Sequence, residues 1–308
     1  MHKKAFSLIE ISIIITIIGV LLAGVIIAQN IVSDSRIFAA SSLTKNSGID
    51  DIDDLMLWLE TTLPQSFIES EAQEGVDLDN SGADDGISVW YDLQNSSSKH
   101  NATQGTDSKR PLYYKNCMNS LPCLRFDGSN DNLDVNLTEL TNGDYTIFVV
   151  EQRRASAAGV YLGESGTPTE NQSLELGYHT DGKPFFSQGD ITDYYTFGTS
   201  PAIATYSSPI TRLNSFLNPI RKSGVSTVYH YLNGSSTAST LTLVGSPSFA
   251  GLSYLADGTI GVGKITGPTT SYYNGDIGEI MIYKRALEKH EREAVENYLL
   301  KKWKISSL

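Results

Sequence analysis

The sequence predicts a mainly β chain carried on one N-terminal transmembrane α-helix, with the β part built as a two-sheet sandwich or jelly roll. Three observations predict it. From Ile11 to Ser33 no residue is charged, and Ile, Leu and Val dominate. From residue 55 onward the apolar residues fall into short alternating runs, the period-2 signature of strands. Those runs are bounded by turn chemistry: Asn142-Gly143, Asn233-Gly234 and Asn274-Gly275 each repeat the pair that tight turns with positive φ favour. Many short strands at near-regular spacing make a sandwich or jelly roll.

The N-terminal element comes first. Its charge-free stretch is 23 residues long, and as a helix it spans roughly 34 Å, enough to cross a bilayer core. Lys3 and Lys4 precede it, so the positive-inside rule leaves the N-terminus cytoplasmic and the bulk of the chain on the far side. Ile37, Phe38 and Leu43 keep helix-compatible spacing through residues 33–46, and the helix is expected to stop near Gly48. Glu10 stands where the apolar stretch begins. A secretory signal has no use for an acid there, and its apolar region is shorter, with small residues after it. Here the small residue, Ala5, comes before the stretch.

The run K-K-A-F-S-L-I-E-I (residues 3–11) resembles the class III signal of type IV pilins and pseudopilins. The resemblance implies cleavage between Ala5 and Phe6 by a prepilin peptidase and N-methylation of Phe6. It also makes Glu10 the fifth residue of the mature chain, where the family keeps a glutamate. A carboxylate in hydrocarbon is costly unless paired, and in a filament its partner is the free ammonium at Phe6 of a neighbouring subunit. Ala5 stands where the family mostly has Gly, and no Pro interrupts residues 6–41.

The chain of 308 residues has a formal net charge of −12, and its Lys and Arg form no stripe. That argues against a nucleic-acid partner. About 260 residues follow the helix, enough for one large β domain or two small ones. The two cysteines, Cys117 and Cys123, flank five residues. In an oxidising compartment they are expected to form a disulfide worth about 2 kcal/mol by chain entropy, a local pin. The alternative, a metal pair, lacks a nearby Cys or His pair to complete it.

The clearest strands are 145–151, 227–232 and 277–283. A second resemblance covers about 250 residues: L-M-L-W-L-E (55–60), I-S-V-W-Y-D-L (87–93), H-N-A-T-Q (100–104), L-R-F-D-G-S-N-D (124–131), Y-T-I-F-V-V (145–150), Y-L-N-G (231–234) and N-G-D-I-G-E-I-M-I-Y-K-R-A-L (274–287) are similar to concanavalin A-like, laminin-G-like domains. It implies two antiparallel sheets packed face to face, Trp58, Trp90 and Phe126 in the core, and a closing helix over 288–302. That helix presents Ala294, Val295, Tyr298 and Leu299 on one face. The family's Ser or Thr N-cap is replaced by Glu288, a loss expected to fray the helix by roughly 1 kcal/mol. Residues 207–225 do not alternate and read as a long connection. The resulting organisation is a leader (1–5), an assembly helix (6–46) and a sandwich (50–308).

For chemistry, the E-x-D-x-x-E carboxylate arrangement of glucanases on this fold is absent, and Glu164, Glu175 and Glu279 stand singly. The five histidines are scattered. The chain is therefore expected not to be an enzyme. The segment 77–86 places Asp77, Asp79, Ser81 and Asp85 as oxygen ligands in the manner of the first half of an EF-type Ca²⁺ loop. Ser88 stands where the bidentate Glu belongs, and the other reading is a solvated acidic turn. Tyr194-Tyr195 and Tyr272-Tyr273 invite a sugar-stacking role, but adjacent strand residues face opposite ways, so one of each pair packs inward.

Together these readings predict a minor or tip type IV pilin whose laminin-G-like head binds a glycan or protein ligand. Its partners would be prepilin peptidase, other pilin subunits and, before assembly, the inner membrane; its final place would be the pilus at the cell surface. The alternatives are a pseudopilin of a type II secretion system and a membrane-tethered lectin-like protein.

Overall fold

The computed structural model describes residues 8–72, 86–95, 97–141, 143–163, 174–188, 194–198, 209–219, 228–244, 257–264 and 270–308. Helix α1 (Leu8–Lys45) runs for 38 residues, about 57 Å at the α-helical rise. It is long and apolar enough to cross a membrane, and its most apolar 18-residue window is 0% buried. Its last turns pack on the head, where Ala40 and Thr44 are buried. The chain leaves the helix through Gly48, whose φ of 66° is a left-handed conformation that glycine takes without cost.

The head is a two-sheet sandwich. Sheet A holds β1 (Leu55–Glu60), β4 (Leu112–Met118), β5 (Leu121–Asp127), β7 (Tyr145–Arg153), β12 (Arg212–Asn218), β13 (Tyr229–Leu232) and β18 (Asn274–Tyr283). Their order is β13-β12-β7-β18-β5-β4, and β1 pairs with the second half of β18. Sheet B holds β2 (Val89–Trp90), β3 (Ala102–Thr103), β6 (Leu133–Asn136), β8 (Gly159–Gly163), β9 (Leu174–Tyr178), β10 (Pro184–Gln188), β11 (Tyr194–Gly198), β14 (Thr240–Val244), β15 (Asp257–Ile260), β16 (Val262–Lys264) and β17 (Thr270–Tyr272). Its main path runs β14-β11-β10-β9-β8-β15-β6-β3-β2. Apart from one parallel contact between β8 and β17, the pairings are antiparallel.

Alternation in β7 shows how the layers form. Ile147 and Val149 point between the sheets and pack with Ile280, Leu176 and Phe186. Phe148 and Val150 point the other way and join Met281, Tyr283 and the closing helix α2 (Lys289–Trp303) in a second core. Sheet A is thus buried on both faces. Trp58, Trp90 and Phe126 are all buried.

Three local expectations need correction. Residues 212–218, read as part of a long connection, form β12, an interior strand between β7 and β13. Its two faces are both covered, and buried Asn214, Ser215 and Asn218 erase the alternation. Asn274-Gly275 is not a turn, because β18 runs straight through it, with Asn274 opposite Asp127 and donating to the Asp127 carbonyl at 2.8 Å. Helix α2 is capped although no Ser or Thr precedes it: the Glu291 carboxylate accepts the Glu288 N–H at 2.8 Å. Arg285 holds that carboxylate with two bonds of 2.6 Å, so the first turn is tied down. Asn142 lies outside the described residues. Asn233 and Gly234 do take positive φ, 49° and 66°, but their turn passes the chain from sheet A toward sheet B and closes no hairpin.

Candidate functional site at the helix–head junction

The junction is built from elements far apart in sequence. Glu60 ends β1, Glu279 lies opposite it in the second half of β18, and Lys302 lies in the last turn of α2; all three are buried. The Lys302 Nζ sits 2.7 Å from Glu60 Oε2 and 2.8 Å from Glu279 Oε2. Each acid has further donors. Glu60 accepts Thr62 N (2.8 Å), Thr62 Oγ1 (2.6 Å), Leu63 N (2.6 Å) and Ser66 Oγ (2.8 Å). Glu279 accepts Trp58 Nε1, Tyr298 OH and Trp303 Nε1, each at 2.8 Å. Gly278, at the bulge beside it, leaves the space that the Trp303 ring fills; a Cβ there would come within 2.3 Å of the ring.

The electrostatics are those of a saturated buried ion cluster. Burial alone would raise the Glu60 carboxyl, but the adjacent Lys302 ammonium and the Thr62 hydrogen bonds outweigh it and hold the group below its ordinary value. For Lys302, burial pushes down, while Glu279 and Glu60 together push up and prevail. The charges therefore persist in the interior because every one is paired and hydrogen-bonded.

Helix α1 plugs into this cluster. Thr44 Oγ1 lies 3.1 Å from Tyr298 OH, which itself donates to Glu279. Ser41 Oγ donates to the Thr62 carbonyl at 2.6 Å, and nearer the apolar stretch Asp34 pairs with Lys115 at 2.8 Å. Leu43 packs into the second core beside α2. The arrangement ties an apolar helix to a sandwich.

A second polar cluster lies between the sheets. The buried Glu151 accepts the Tyr178 hydroxyl at 2.5 Å, Asn214 Nδ2 at 3.1 Å and the Tyr273 hydroxyl. His230 faces Asn214 Oδ1 at 3.0 Å, and burial pushes its imidazole down to about 3, so it is neutral at physiological pH. The Arg153 guanidinium lies 4.1 Å from the Tyr178 ring centre. Tyr178 belongs to sheet B and Glu151 to sheet A, so this acid staples the two layers together.

The sequence-derived residues are distributed as follows. Ala5 and Phe6 lie outside the described residues, as do Asp77, Asp79, Ser81, Asp85 and Glu164. Glu10 occupies the first described turn of α1 and is exposed on the isolated chain. Cys117 and Cys123 form the disulfide, with Cα atoms 5.8 Å apart, so they are not free thiolate ligands for a metal. Glu175 is buried on β9, while Glu279 belongs to the junction. Tyr195 and Tyr273 are buried, and their neighbours Tyr194 and Tyr272 are half-buried. The sequence reading missed Glu60, Glu151 and Lys302. The available signal was an acid closing an apolar run (L-W-L-E, F-V-V-E) and a Lys beside the last Trp.

No protein-family profile and no characterised protein matches the sequence. Among solved structures, the chain is similar to a Trypanosoma rangeli sialidase, at 16% identity and TM-score 0.45 over 81% of this chain and 33% of that one. It is similar to an arabinofuranosidase complexed with arabinofuranosyl-alpha-1,2-xylobiose (12% identity, TM-score 0.48, 70% of this chain and 51% of that one). A third is the Ruminococcus gnavus IT-sialidase CBM40 (12%, TM-score 0.38, 56% and 96%). The chain spans about a third of the length of the sialidase. These neighbours correct one expectation. The reading of the chain as a non-enzyme is overturned by the sialidases and the arabinofuranosidase among them, and the missing E-x-D-x-x-E triplet no longer supports it.

Proposed function

We propose that this chain is a minor or tip subunit of a type IV pilus-like filament, displaying a laminin-G-like head that binds a glycan or protein ligand. One observation carries the reading. A helix of 38 residues, exposed along its apolar length, begins with an acid in its first turn and ends bolted into the head through Thr44, Ser41 and Asp34. Exposed apolar surface of that extent needs a partner. A bilayer covers it before assembly, and the helices of neighbouring subunits cover it in a filament. Glu10 then gains the Phe6 ammonium of a neighbouring subunit as its counter-charge. A head held in many copies along a filament, or at its tip, gains binding strength from multivalency.

The test is to shear the cell surface and determine the N-terminus of the protein in sheared and membrane fractions by mass spectrometry. A chain beginning at methylated Phe6 in sheared filaments is the expected result. An intact Met1, or recovery in membranes alone, refutes the filament reading and leaves a tethered binding protein.

A further inference from the structure

Where α1 leaves the head, a groove of about 340 Å³ opens between the helix and the end of α2. Ile31, Val32 and Ala39 of α1 form an apolar wall, and Arg36, Lys301 and Lys304 supply cations. No acid lines it among the described residues. Lys302 also borders it, but its ammonium is committed to Glu60 and Glu279. Arg36, Lys301 and Lys304 are exposed and have no ion-pair partner among the described residues. Such a concentration of positive charge runs against a chain whose net charge is −12.

The depth of the groove fits a lipid. The charge-free stretch ends at Ser33, and Arg36 lies three residues beyond it, about 4.5 Å further along the helix axis. The polar layer on each side of a bilayer core is about 5–7 Å thick, so Arg36 sits at headgroup level, with Ile31 and Val32 at the top of the hydrocarbon. We propose that this groove binds one anionic phospholipid of the leaflet that the head faces. Its phosphate lies between Arg36, Lys301 and Lys304, and its acyl chains lie against Ile31 and Val32. The proposal rests on the membrane-spanning reading of α1. Cations at the surface of an anionic leaflet are attracted to it, and the site would orient the head on the membrane until the subunit is withdrawn.

The experiment reconstitutes the full chain in nanodiscs of equal parts phosphatidylcholine and phosphatidylglycerol, and reads retained lipids and chain stoichiometry by native mass spectrometry. Protease protection of the helix scores insertion separately. Wild type is expected to retain phosphatidylglycerol about tenfold over phosphatidylcholine, the scale of one or two basic residues at an anionic surface. The triple variant Arg36→Gln, Lys301→Gln, Lys304→Gln should lose the preference. The charge-retaining variant Arg36→Lys, Lys301→Arg, Lys304→Arg should keep it. Normal insertion with no preference for the anionic lipid overturns the site and leaves the membrane reading intact. Lipid-free dimers overturn it in favour of a second copy in the groove. Failure of the helix to insert overturns the membrane reading and the site with it.

Discussion

Replacing Lys302 with methionine keeps most of the side-chain volume and removes the charge that lies between Glu60 and Glu279. The two carboxylates stay buried, at 0% and 1% exposure, and each keeps its neutral donors, four on Glu60 and three on Glu279. Those bonds hold the geometry but cannot neutralise two like charges. Breaking a buried ion pair by deleting one partner costs about 3–5 kcal/mol. For a head of this size each kcal/mol moves the melting temperature by about 2–4 °C, so the variant should melt about 6–20 °C lower. The assay is thermal unfolding of the detergent-solubilised full chain followed by near-ultraviolet circular dichroism, which reports the Trp58 and Trp303 environments. The pH dependence sharpens it. In wild type the Glu60 carboxyl is held below its ordinary 4.5, so its contribution is present above about pH 4.5 and is lost as pH falls. In Lys302→Met, burial without the ammonium raises that carboxyl, so the deficit should be full at neutral pH and shrink on acidification. A melting shift under about 2 °C, or a deficit that grows toward low pH, would refute the argument that Lys302 neutralises the cluster.

Four further outcomes are expected. Glu10→Ala should insert in membranes as wild type does and be missing from sheared filaments; normal incorporation, read by immunoblot, would contradict its pairing with a neighbouring Phe6 ammonium. Ca²⁺ held by Asp77, Asp79, Ser81 and Asp85 should raise the melting temperature of wild type and leave Asp79→Ala unmoved, and no rise in wild type removes the site. Reducing the Cys117–Cys123 bond should cost about 2 kcal/mol, since it closes a short loop, and calorimetry with and without reductant measures it. Burial, with a smaller contribution from the nearby Asp127 charge, raises the Asp131 carboxyl from 3.8 to about 7. Its contribution is therefore full below about pH 3.8 and lost as pH rises through 7, and Asp131→Asn should flatten the melting profile between pH 4 and 7.

How far the sequence spoke depends on what covers each element. The apolar helix α1 was legible because nothing in the head interrupts its apolar run. Strands β7 and β18 were legible because β-branched and aromatic residues cluster in them, at Tyr145–Val150 in the one and at Ile280, Ile282 and Tyr283 in the other. Strand β12 was hidden because α2 covers one face of sheet A and the inter-sheet core the other, so period 2 disappears and buried Asn and Ser look like a loop. The α2 cap was misjudged because Glu291 acts from three residues inside the helix, steered by Arg285 from outside it. The disulfide was readable from local spacing. The junction was not: Glu60 and Lys302 are 242 residues apart, and Thr44 and Tyr298 are 254 apart. An acid closing an apolar strand announces burial, but its partner is set by topology alone.

That last separation sets an order of events during synthesis. Thr44 emerges from the ribosome 254 residues before Tyr298. At about 5–20 residues per second, about 13 to 50 s pass between them. Through that interval helix α1 is already made while the socket for its final turn has yet to be translated. Sheet A is equally incomplete, since β1 waits for β18, its hydrogen-bonded neighbour. A nascent chain truncated before residue 289 would lack α2 and with it the seat of α1, and the arrival of α2 would be the event that joins the apolar helix to the sandwich.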